Sequence, residues 1–587
     1  MTASQACCAV LLLGIAVPAF AQVDFVGEWA PRFHEDQPER IPGPALGDYL
    51  GLPINDALRL RADSWDADLV SMPERQCNPH PSTYSFRGPA NLRVSKEADP
   101  VTQDIVSYTI YGTFGRATRV IWMDGRPHPS ANAAHTWAGF STGKWEGGIL
   151  TVETTHLKAG YIRRNGVIHS DLATMTEHFI RHGDHLTIVT IDRDPVYLTE
   201  PFIRTTDFVM DLGQHVSATP CDVTIEAVRP KGAVPHHLPG TNTFLTEFAT
   251  NANLPQAAAR GGAQTMYPEY SLRMNAAAAA PPVFAAESVL RQADDNTPIE
   301  VLPVRGNVYM LVAGSRNITL SVGPEGVLMV DTAVAALADK ILAAIQNVSA
   351  KPIRYILNTS ADPDHTGGNA IFAKKGRPVG AGGAGSALFA DIAGADPRAE
   401  IYAHIHVLDR MADSPAAAWP TTTYFNDSKE LFFNDEAVQI LHLPAAHSDG
   451  DSIVFFRRSD VVSTGDVFDT VTYPRIDVAH GGSIQGEIEG LNRILDVTIP
   501  ASQQEGGTMV IPGHGRLCDE ADVVEYRDMV TILRDRIADM KHRGMTLDQV
   551  KAARPTRDYD GRYGATTGPW TTDMFVEAVY NTLTASK

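Results

Sequence analysis

The chain has 587 residues and a mass of 63.5 kDa. One hydrophobic core rarely serves so long a chain, so we expect two or more domains. Apolar residues make up 44% of the sequence and charged residues 20%, which is typical of a soluble globular protein. The formal net charge of -20 disfavours nucleic acid and membrane surfaces as partners, because no basic excess exists to release their counterions.

The N-terminal residues have the pattern of a cleaved export signal. An apolar stretch at 10–17 precedes the small residues Ala19-Phe20-Ala21, which a signal peptidase accepts. The stretch is too short to span a membrane. No Lys or Arg precedes it, which indicates either a weak signal or a start codon placed downstream of the true one. The alternative to a signal is a disordered apolar N-terminus on a cytoplasmic enzyme. We expect residues 1–21 to be the signal peptide of a periplasmic or secreted bacterial protein.

Removal of this signal leaves Cys77, Cys221 and Cys518, which are too few for a disulfide framework but enough for one bridge. Cys77 and Cys221 lie near the two ends of a strand-rich N-terminal region. We therefore hypothesise that these two cysteines pair.

Residues 22–230 carry apolar patterns that are mostly of period two. Such alternation, interrupted by Gly, Pro and Asn, predicts half-buried strands at 104–111, 117–123, 149–157, 186–192 and 202–210. An antiparallel barrel or sandwich with one solvated face fits this pattern. We expect no helix of any length in this region.

Residues 231–295 are rich in Ala, Pro, Gly and Asn. So few large apolar side chains cannot bury enough surface to offset the entropy of ordering the segment, so we interpret it as an inter-domain linker. Phe244, Phe248, Tyr267 and Tyr270 are aromatic enough to pin parts of it to a domain surface.

Residues 296–587 alternate short apolar strands with helices, which predicts an α/β layered domain. Strands are expected at 307–313, 318–322, 327–330 and 353–357, and helices at 335–345, after Gly367-Gly368, at 485–495 and at 521–542. The tail at 544–550 and 568–583 is expected to cap an active-site mouth or a subunit contact.

Four loops of this domain place His or carboxylate side chains just after an apolar run. A divalent cation needs several such ligands from different loops while one coordination position stays open for water. The candidate ligands are Asp362, Asp364 and His365 in the first loop, His447 in the second, Asp466 in the third and His514 in the fourth.

The motifs that carry these residues are Asp-x-Asp-His-x-Gly-Gly at 362–368, Pro-x-x-His-x-x-Gly-Asp at 444–451, Thr-Gly-Asp at 464–466 and Pro-Gly-His-Gly at 512–515. Their types, order and spacing resemble the metallo-β-lactamase superfamily. The resemblance implies an αββα sandwich and a metal-dependent hydrolase.

The resemblance also implies roles for individual residues. Asp364, His365 and His514 match the ligands of the second metal site of the superfamily. Asp466 matches the carboxylate that bridges both metals, and His447 matches the third histidine of the first site.

The sequence departs from the family pattern at the first metal site. Ser360 and Asp362 stand where the two leading histidines of His-x-His-x-Asp-His-x-Gly-Gly normally lie. An alcohol and a carboxylate make the pocket harder and more anionic, so zinc is bound less well there, and iron or manganese are discriminated against less. Asp362 is either a ligand or a carboxylate outside the ligand set, which then supports the ligands or caps the loop. Ser360 is expected to act as a hydrogen-bond partner or to leave room for substrate.

The expected activity is hydrolysis of an ester, lactone, thioester or amide carbonyl of a small-molecule substrate by a metal-activated water, with one or two zinc ions as cofactor. Asp364 is the expected catalytic residue, because a carboxylate there can ligate the metal and also orient the nucleophile. Two alternatives remain open: an iron-dependent oxidoreductase on the same fold, and a binding protein that holds metal or ligand without turnover.

The N-terminal half concentrates Trp, His, Asp and Arg at 121–129 and 135–147. These segments are similar to an uncharacterised lipocalin-like β-domain of exported bacterial proteins, which implies no chemistry. His178 and His182 have the spacing of a helical zinc pair, but in a strand they lie about 13 Å apart and cannot share one ion. A structural hydrogen-bond network is the favoured interpretation of these polar residues.

Overall fold

The computed structural model describes residues 24–32, 43–87, 91–112, 117–213, 216, 220–274, 298–378 and 398–583. The expected signal peptide at 1–21 lies outside these residues, as do residues 275–295 of the expected linker. Among the described ranges, no helix is both long and apolar enough to cross a membrane.

The N-terminal domain is a closed nine-stranded barrel, which decides between the barrel and sandwich expected from the sequence. Its strands run in the spatial order β1-β11-β10-β9-β6-β5-β4-β3-β2, and neighbours are antiparallel except for the parallel pair β4 and β5. A separate hairpin is formed by β7 and β8. The strands are β1 Gly27–Pro31, β2 Leu92–Ala98, β3 Ile105–Gly112, β4 Arg119–Trp122, β5 Phe140–Glu146, β6 Ile149–Thr155, β7 Gly160–Arg163, β8 Val167–His169, β9 Thr174–His182, β10 His185–Arg193 and β11 Phe202–Met210.

Alternation of burial along the strands fills the barrel. In β10 every second residue from Leu186 to Asp192 is buried, as a strand with one face to the core requires. Trp29, Phe179 and Phe208 belong to the aromatic cluster inside, and all three are almost fully buried. The apolar period that predicted strands here is therefore the inward face of the barrel.

The expectation that this region lacks helices is wrong. A nine-residue helix, α1 (Asp56–Ser64), and a one-turn helix, α2 (Ser82–Ser85), lie between β1 and β2. The side chain of Asn55 accepts a hydrogen bond from the backbone N–H of Leu58 and caps α1. Only alternate positions of this polar helix are buried, so its sequence shows no apolar stripe of helical period.

Cys77 and Cys221 form a disulfide with their Cα atoms 5.6 Å apart, which confirms the hypothesised pair. The bridge joins the helical segment before β2 to the chain beyond β11. Cys518 is free and buried.

The first part of the expected linker forms short helices that pack on the N-terminal domain. These helices are α3 Glu247–Asn251, α4 Gln256–Ala259 and α5 Pro268–Met274. The backbone N–H of Tyr49 donates to the carbonyl of Ala259 at 2.9 Å, and that of Gly51 donates to Gly262 at 3.1 Å. Backbone pairing therefore fixes a segment that has few large side chains to bury.

The C-terminal domain contains two mixed sheets. The first has the order β12 to β18 and the second has the order β19 to β24. The strands of the first are β12 Glu300–Arg305, β13 Val308–Ala313, β14 Arg316–Gly323, β15 Gly326–Val330, β16 Ile353–Leu357, β17 Glu400–His404 and β18 Thr422–Tyr424. Those of the second are β19 Ser428–Phe433, β20 Glu436–Leu443, β21 Asp451–Phe456, β22 Val461–Ser463, β23 Met509–Ile511 and β24 Cys518–Asp519.

Helices cover the outer face of each sheet, and this confirms the αββα sandwich. One apolar core lies between the sheets, and one lies under the helices on each side. The helices of the domain are α6 Ala338–Val348, α7 Pro363–Thr366, α8 Asn369–Lys375, α9 Ile405–Arg410, α10 Ile484–Val497, α11 Glu520–His542, α12 Leu547–Ala553, α13 Asp560–Tyr563 and α14 Thr572–Thr582.

Buried ion pairs join the two domains. The Asp171 carboxylate of the barrel domain lies 3.2 Å from the Arg516 guanidinium and 2.9 Å from that of Arg562. In another pair the barrel domain supplies the cation, since Arg75 lies 2.9 Å from Glu525 in α11. Because these charges are shielded from water, their pairing fixes how the barrel sits on the sandwich.

Candidate metal centre

The ends of two parallel strands in the first sheet begin the site. β15 and β16 pair in parallel, so their carboxyl ends lie at the same edge. Asp331 follows β15 directly, and the loop from Asn358 to His365 follows β16. Pro363 occupies the first turn of α7, where its missing N–H costs no hydrogen bond. The loop therefore turns sharply and presents Asp362, Asp364 and His365 at the sheet edge.

The second sheet supplies the remaining candidate ligands. β22 and β23 are parallel, and Asp466 and His514 follow them. His447 lies in the turn between β20 and β21. Gly465 has φ +54°, and a Cβ there would lie 2.5 Å from the Thr359 hydroxyl, so this turn beside the metal loop requires glycine.

The six side chains meet in two groups around Asp466. Ligand atoms of Asp364, His365 and His514 lie within 4.8 Å of one another, and so do those of Asp362, His447 and Asp466. The Nε2 atoms of His365, His514 and His447 lie 3.1, 3.3 and 3.8 Å from carboxylate oxygens of Asp466. The loops that the sequence separates by up to 152 positions thus converge on one carboxylate.

Hydrogen bonds at the far side of each imidazole fix its orientation. Nδ1 of His447 lies 3.1 Å from the carbonyl oxygen of Arg475, and Nδ1 of His514 lies 2.7 Å from that of Ser315. Nδ1 of His365 lies 2.8 Å from the Asp331 carboxylate. Since a carbonyl oxygen only accepts, Nδ1 carries the proton in His447 and His514, and the lone pair of Nε2 faces the site.

Four atoms that face the centre are buried and have no hydrogen-bond partner among the described residues. They are the Nε2 atoms of His365, His447 and His514 and Oδ2 of Asp466. A buried polar atom left without a partner destabilises the folded state by about 1–3 kcal/mol, so a cluster of four such atoms indicates that a ligand binds between them. A divalent cation in each of the two groups would satisfy these atoms, and the donor set of imidazole and carboxylate suits such ions.

Electrostatics favour a cation at the same place. Burial disfavours charge on His365, but the Asp466 and Asp331 carboxylates outweigh it and raise the pKa of the imidazole well above its ordinary value. Burial likewise opposes charge on Asp466, yet the surrounding imidazoles hold its pKa well below the usual range. The field that draws a proton to these rings also draws a metal ion.

Asp362 directs its carboxylate into the site. It occupies the N-cap position of α7 but its side chain makes no capping hydrogen bond, and Oδ2 lies 3.3 Å from Nε2 of His447. Burial and the nearby Asp466 charge raise the pKa of Asp362. Of the two interpretations drawn from the sequence, loop capping does not fit this arrangement.

Ser360 is buried, and its hydroxyl accepts a hydrogen bond from the backbone N–H of Asp362 at 3.3 Å. It serves the turn of the loop, in line with the expected role as a hydrogen-bond partner.

Sequence reasoning missed two residues beside the centre. Asp331 orients His365 and also accepts hydrogen bonds from the backbone N–H and hydroxyl of Thr359, at 2.8 and 2.6 Å. Arg475 places a guanidinium nitrogen 3.5 Å from Oδ2 of Asp364, and its buried Nε has no hydrogen-bond partner among the described residues. The position of Asp331 directly after a buried strand was a usable signal, whereas Arg475 lies in a loop with none.

A cavity of about 480 Å³ opens from the centre to the surface. Asp362, His447 and Arg475 line its inner end. The C-terminal tail supplies part of the outer wall, through Trp570 and Met574, and so lies at the mouth as one of the two interpretations expected. This volume accommodates a small organic molecule next to the candidate ligands.

A family model decides the kind of fold that carries this centre. Residues 311–514 match the metallo-beta-lactamase superfamily. That segment contains all six candidate ligands and the strands from the middle of β13 to β23, and the C-terminal domain has the metallo-β-lactamase fold. No curated protein matches the chain in sequence.

Solved structures with this fold resemble the chain at low identity. The stereoselective inverting sec-alkylsulfatase Pisa1 from Pseudomonas sp. is 15% identical, with 48% of this chain and 50% of that one covered and a TM-score of 0.38. A metallo-beta-lactamase from Pontibacter korlensis is 13% identical, with 40% and 98% covered and a TM-score of 0.30. The chain thus spans about half the length of the alkylsulfatase it matches.

The polar residues of the barrel domain form the structural network favoured from the sequence. His128 contacts the hydroxyls of Thr142 and Thr155, and His156 contacts Thr155 and the Ser130 carbonyl. His178 and His182 lie in β9 as expected, so they belong to one strand. Cys518 is buried in β24, directly before the N-cap residue of α11, and burial raises the pKa of its thiol.

Proposed function

We propose that the C-terminal domain is a metal-dependent hydrolase that cleaves an ester, lactone, thioester or amide of a small molecule. The observation that supports this most is the set of buried, unpartnered Nε2 and Oδ2 atoms that face one another beside an open cavity. Asp362, Asp364, His365, His447, Asp466 and His514 are the proposed ligands.

Zinc is the proposed metal, and iron or manganese the rivals. A bound divalent ion supplies Lewis acidity and lowers the pKa of water from roughly 15.7 toward ~7. The group of Asp362, His447 and Asp466 has two carboxylates and one imidazole, a harder ligand set than the group that contains His365 and His514. We therefore propose tighter zinc binding in the latter group. Iron with visible absorption in the purified protein would instead favour an oxidoreductase.

The protein's own side chains would position the substrate. The Asp364 carboxylate lies between His514 and Arg475, at 3.6 and 3.5 Å, where it can accept a hydrogen bond from the attacking water and aim it. The Arg475 guanidinium, whose Nε has no hydrogen-bond partner in the described part of the chain, can hold a carbonyl or carboxylate oxygen of the substrate. Trp570 and Met574 offer an apolar wall for the group beyond the reacting bond.

Asp364→Asn tests the hydrolase proposal. We expect turnover of ester, lactone, thioester and β-lactam panels to fall by about 10²–10⁴ when the carboxylate that orients the nucleophile is removed. Asp573→Asn, at an exposed position in the first turn of α14, is the matched control and should keep full activity. Equal turnover by Asp364→Asn and the control would remove the hydrolytic assignment.

We further propose that the protein is exported. The Cys77–Cys221 disulfide supports this, because such bridges persist in oxidising compartments. Thiol titration of the processed, denatured and unreduced protein should find one free thiol, that of Cys518. Fractionation of cells that produce the full chain should recover it outside the cytoplasm; recovery from the cytoplasm with residues 1–21 attached would contradict the proposal.

A further inference from the structure

Three histidines outside the proposed catalytic centre come together at the same edge of the sandwich. His404 ends β17 in the first sheet, His406 lies in the first turn of α9, and His442 lies in β20 of the second sheet. A ring nitrogen from each lies within 4.8 Å of the others. His404 and His406 are only two residues apart in the sequence, and packing of the two sheets brings His442 to them.

We propose that His404, His406 and His442 form a second metal site, which binds one Zn²⁺ or a similar late first-row divalent ion. Three imidazoles are a donor set that selects zinc, copper or nickel over magnesium or calcium. In tetrahedral zinc sites with bonds of 2.0–2.1 Å the nitrogens lie roughly 3.3 Å apart, so modest side-chain movement is enough to close the cluster.

The hydrogen bonds around the rings leave ligand lone pairs available. Nδ1 of His406 lies 3.0 Å from the carbonyl oxygen of Asp449, and Nδ1 of His442 lies 3.0 Å from that of Asp451. Each Nδ1 therefore carries the proton, and each Nε2 keeps its lone pair. A backbone carbonyl behind the imidazole is the usual support of a metal-ligating histidine.

Two of the rings, those of His404 and His442, are also held in the neutral form that a metal requires. Burial, together with repulsion from His442 and His406, lowers the pKa of His404 to about 4. Burial lowers the pKa of His442 as well. Protons therefore do not compete with a metal for the nitrogens of His404 and His442 at neutral pH.

His404 and His442 stack face to face, with ring centroids 3.6 Å apart and planes inclined by 11°. In this stacked arrangement the nitrogen lone pairs of the two rings are parallel, so one ring must rotate before both can bind the same ion. His404 has the weaker hydrogen bond of the two, since its Nδ1 accepts at 3.5 Å from the His406 N–H, and its ring also packs on Tyr424. The His406 side chain is 44% exposed and gives an ion a path from solvent.

The site lies beside the metal loop without sharing a residue with it. His442 pairs across the sheet with Ser452, whose backbone N–H donates to the Thr359 carbonyl at 2.9 Å. An ion held by the three histidines would tie β17 of the first sheet to β20 of the second next to that loop. The inference is independent of the proposed hydrolase activity.

Zinc binding by the full-length protein tests the site. Metal-stripped wild type, His406→Asn and His442→Phe are dialysed against Zn²⁺, and bound zinc is measured by mass spectrometry. We expect each variant to hold about one equivalent less than wild type. His542→Ala, an exposed histidine in the last turn of α11, is the control and should hold as much as wild type.

His365→Asn separates this site from the catalytic centre. The difference of one zinc between wild type and His406→Asn should persist when both proteins also carry His365→Asn. Phe at position 442 keeps the aromatic packing, and the exposed position of His406 allows a folded variant should His442→Phe fail to fold, as circular dichroism would reveal. Equal zinc content in wild type and His406→Asn, or loss of the difference in the His365→Asn background, would overturn the proposal.

Discussion

Asp331 and His365 form a buried pair in which a carboxylate from the end of β15 lies 2.8 Å from Nδ1 of an imidazole that follows β16. Asp331 has a left-handed backbone, with φ 62°, which Asn tolerates better than most residues. The backbone conformation at the end of β15 therefore determines the orientation of a candidate metal ligand, His365.

Asp331→Asn should weaken metal binding while leaving the backbone in place. The amide can still accept from Thr359, but it removes the negative charge behind His365. We expect metal affinity to fall by about 10–100-fold, as for other losses of support behind a ligand. Competition with a chromophoric chelator measures this, and an unchanged affinity would show that the charge of Asp331 plays no part.

Arg475→Ala should lower kcat/KM for substrates that place an oxygen near the guanidinium. A hydrogen bond to a charged group contributes about 1.5–3 kcal/mol, so the loss is expected at about 10–150-fold. Arg475→Lys should recover part of it, because Lys keeps the charge but not the forked geometry. Steady-state kinetics with matched metal content give the answer; identical kcat/KM in wild type and Arg475→Ala would exclude Arg475 from substrate binding.

Glu487→Gln should change how stability depends on pH. Burial in α10, with the charges of Asp451 and Asp466 nearby, raises the pKa of Glu487 well above its usual value, and neither carboxyl oxygen has a hydrogen-bond partner among the described residues. The native state therefore keeps a proton that the unfolded state releases above about pH 4.3. Stability from this group is present below that pH and declines as pH rises, by up to about 1.4 kcal/mol per unit.

Denaturant unfolding of wild type and Glu487→Gln from pH 4 to pH 8 measures this effect. Gln does not titrate, so the two proteins should diverge as pH rises, with the variant relatively more stable at pH 8. Parallel pH profiles would show that Glu487 is ionised in the native protein.

Asp171→Asn should loosen the contact between the barrel and the sandwich. Burial opposes the charge of Asp171, but Arg562 and Arg516 outweigh it and hold the pKa of this carboxyl well below its usual range. Removal of the charge leaves the buried guanidinium groups of Arg516 and Arg562 without part of their opposing charge. We therefore expect the free energy of unfolding at pH 7 to fall by about 3 kcal/mol. Wild type should lose the same stability only below the unfolded pKa of about 3.9.

Thermal and denaturant unfolding at pH 7 and at acid pH compare the two proteins. Asp573→Asn, an exposed substitution of the same kind, should leave the midpoint unchanged. If Asp171→Asn unfolds at the wild-type midpoint, the domains are held together by other contacts.

Local patterns predicted much of the C-terminal domain. The mostly apolar run of β16 predicted its limits, 353–357, because its buried residues Ile353, Ile356 and Leu357 are followed directly by the polar loop that begins at Asn358. The six candidate ligands were found because each directly follows such a run. Helix α1 was missed because its burial comes from tertiary packing and not from an apolar stripe.

Features that depend on long-range pairing were beyond the sequence. Alternation in the N-terminal strands reports one buried face, and it cannot distinguish a barrel from a sandwich. Closure depends on β1 pairing with both β2 and β11, which lie far apart in the chain. The cluster of His404, His406 and His442 also depends on long-range packing, because β17 and β20 belong to different sheets.

The candidate ligands are divided between the two sheets, with Asp364 and His365 on one and Asp466 and His514 on the other. An ion bound between them would link the two sheets and stabilise the folded state, since the unfolded chain does not bring these ligands together. At a thousandfold excess over its dissociation constant, it would add about 4 kcal/mol to the stability of the fold. Removal of the metal would therefore increase the susceptibility of the protein to proteolysis and would also lower its catalytic turnover.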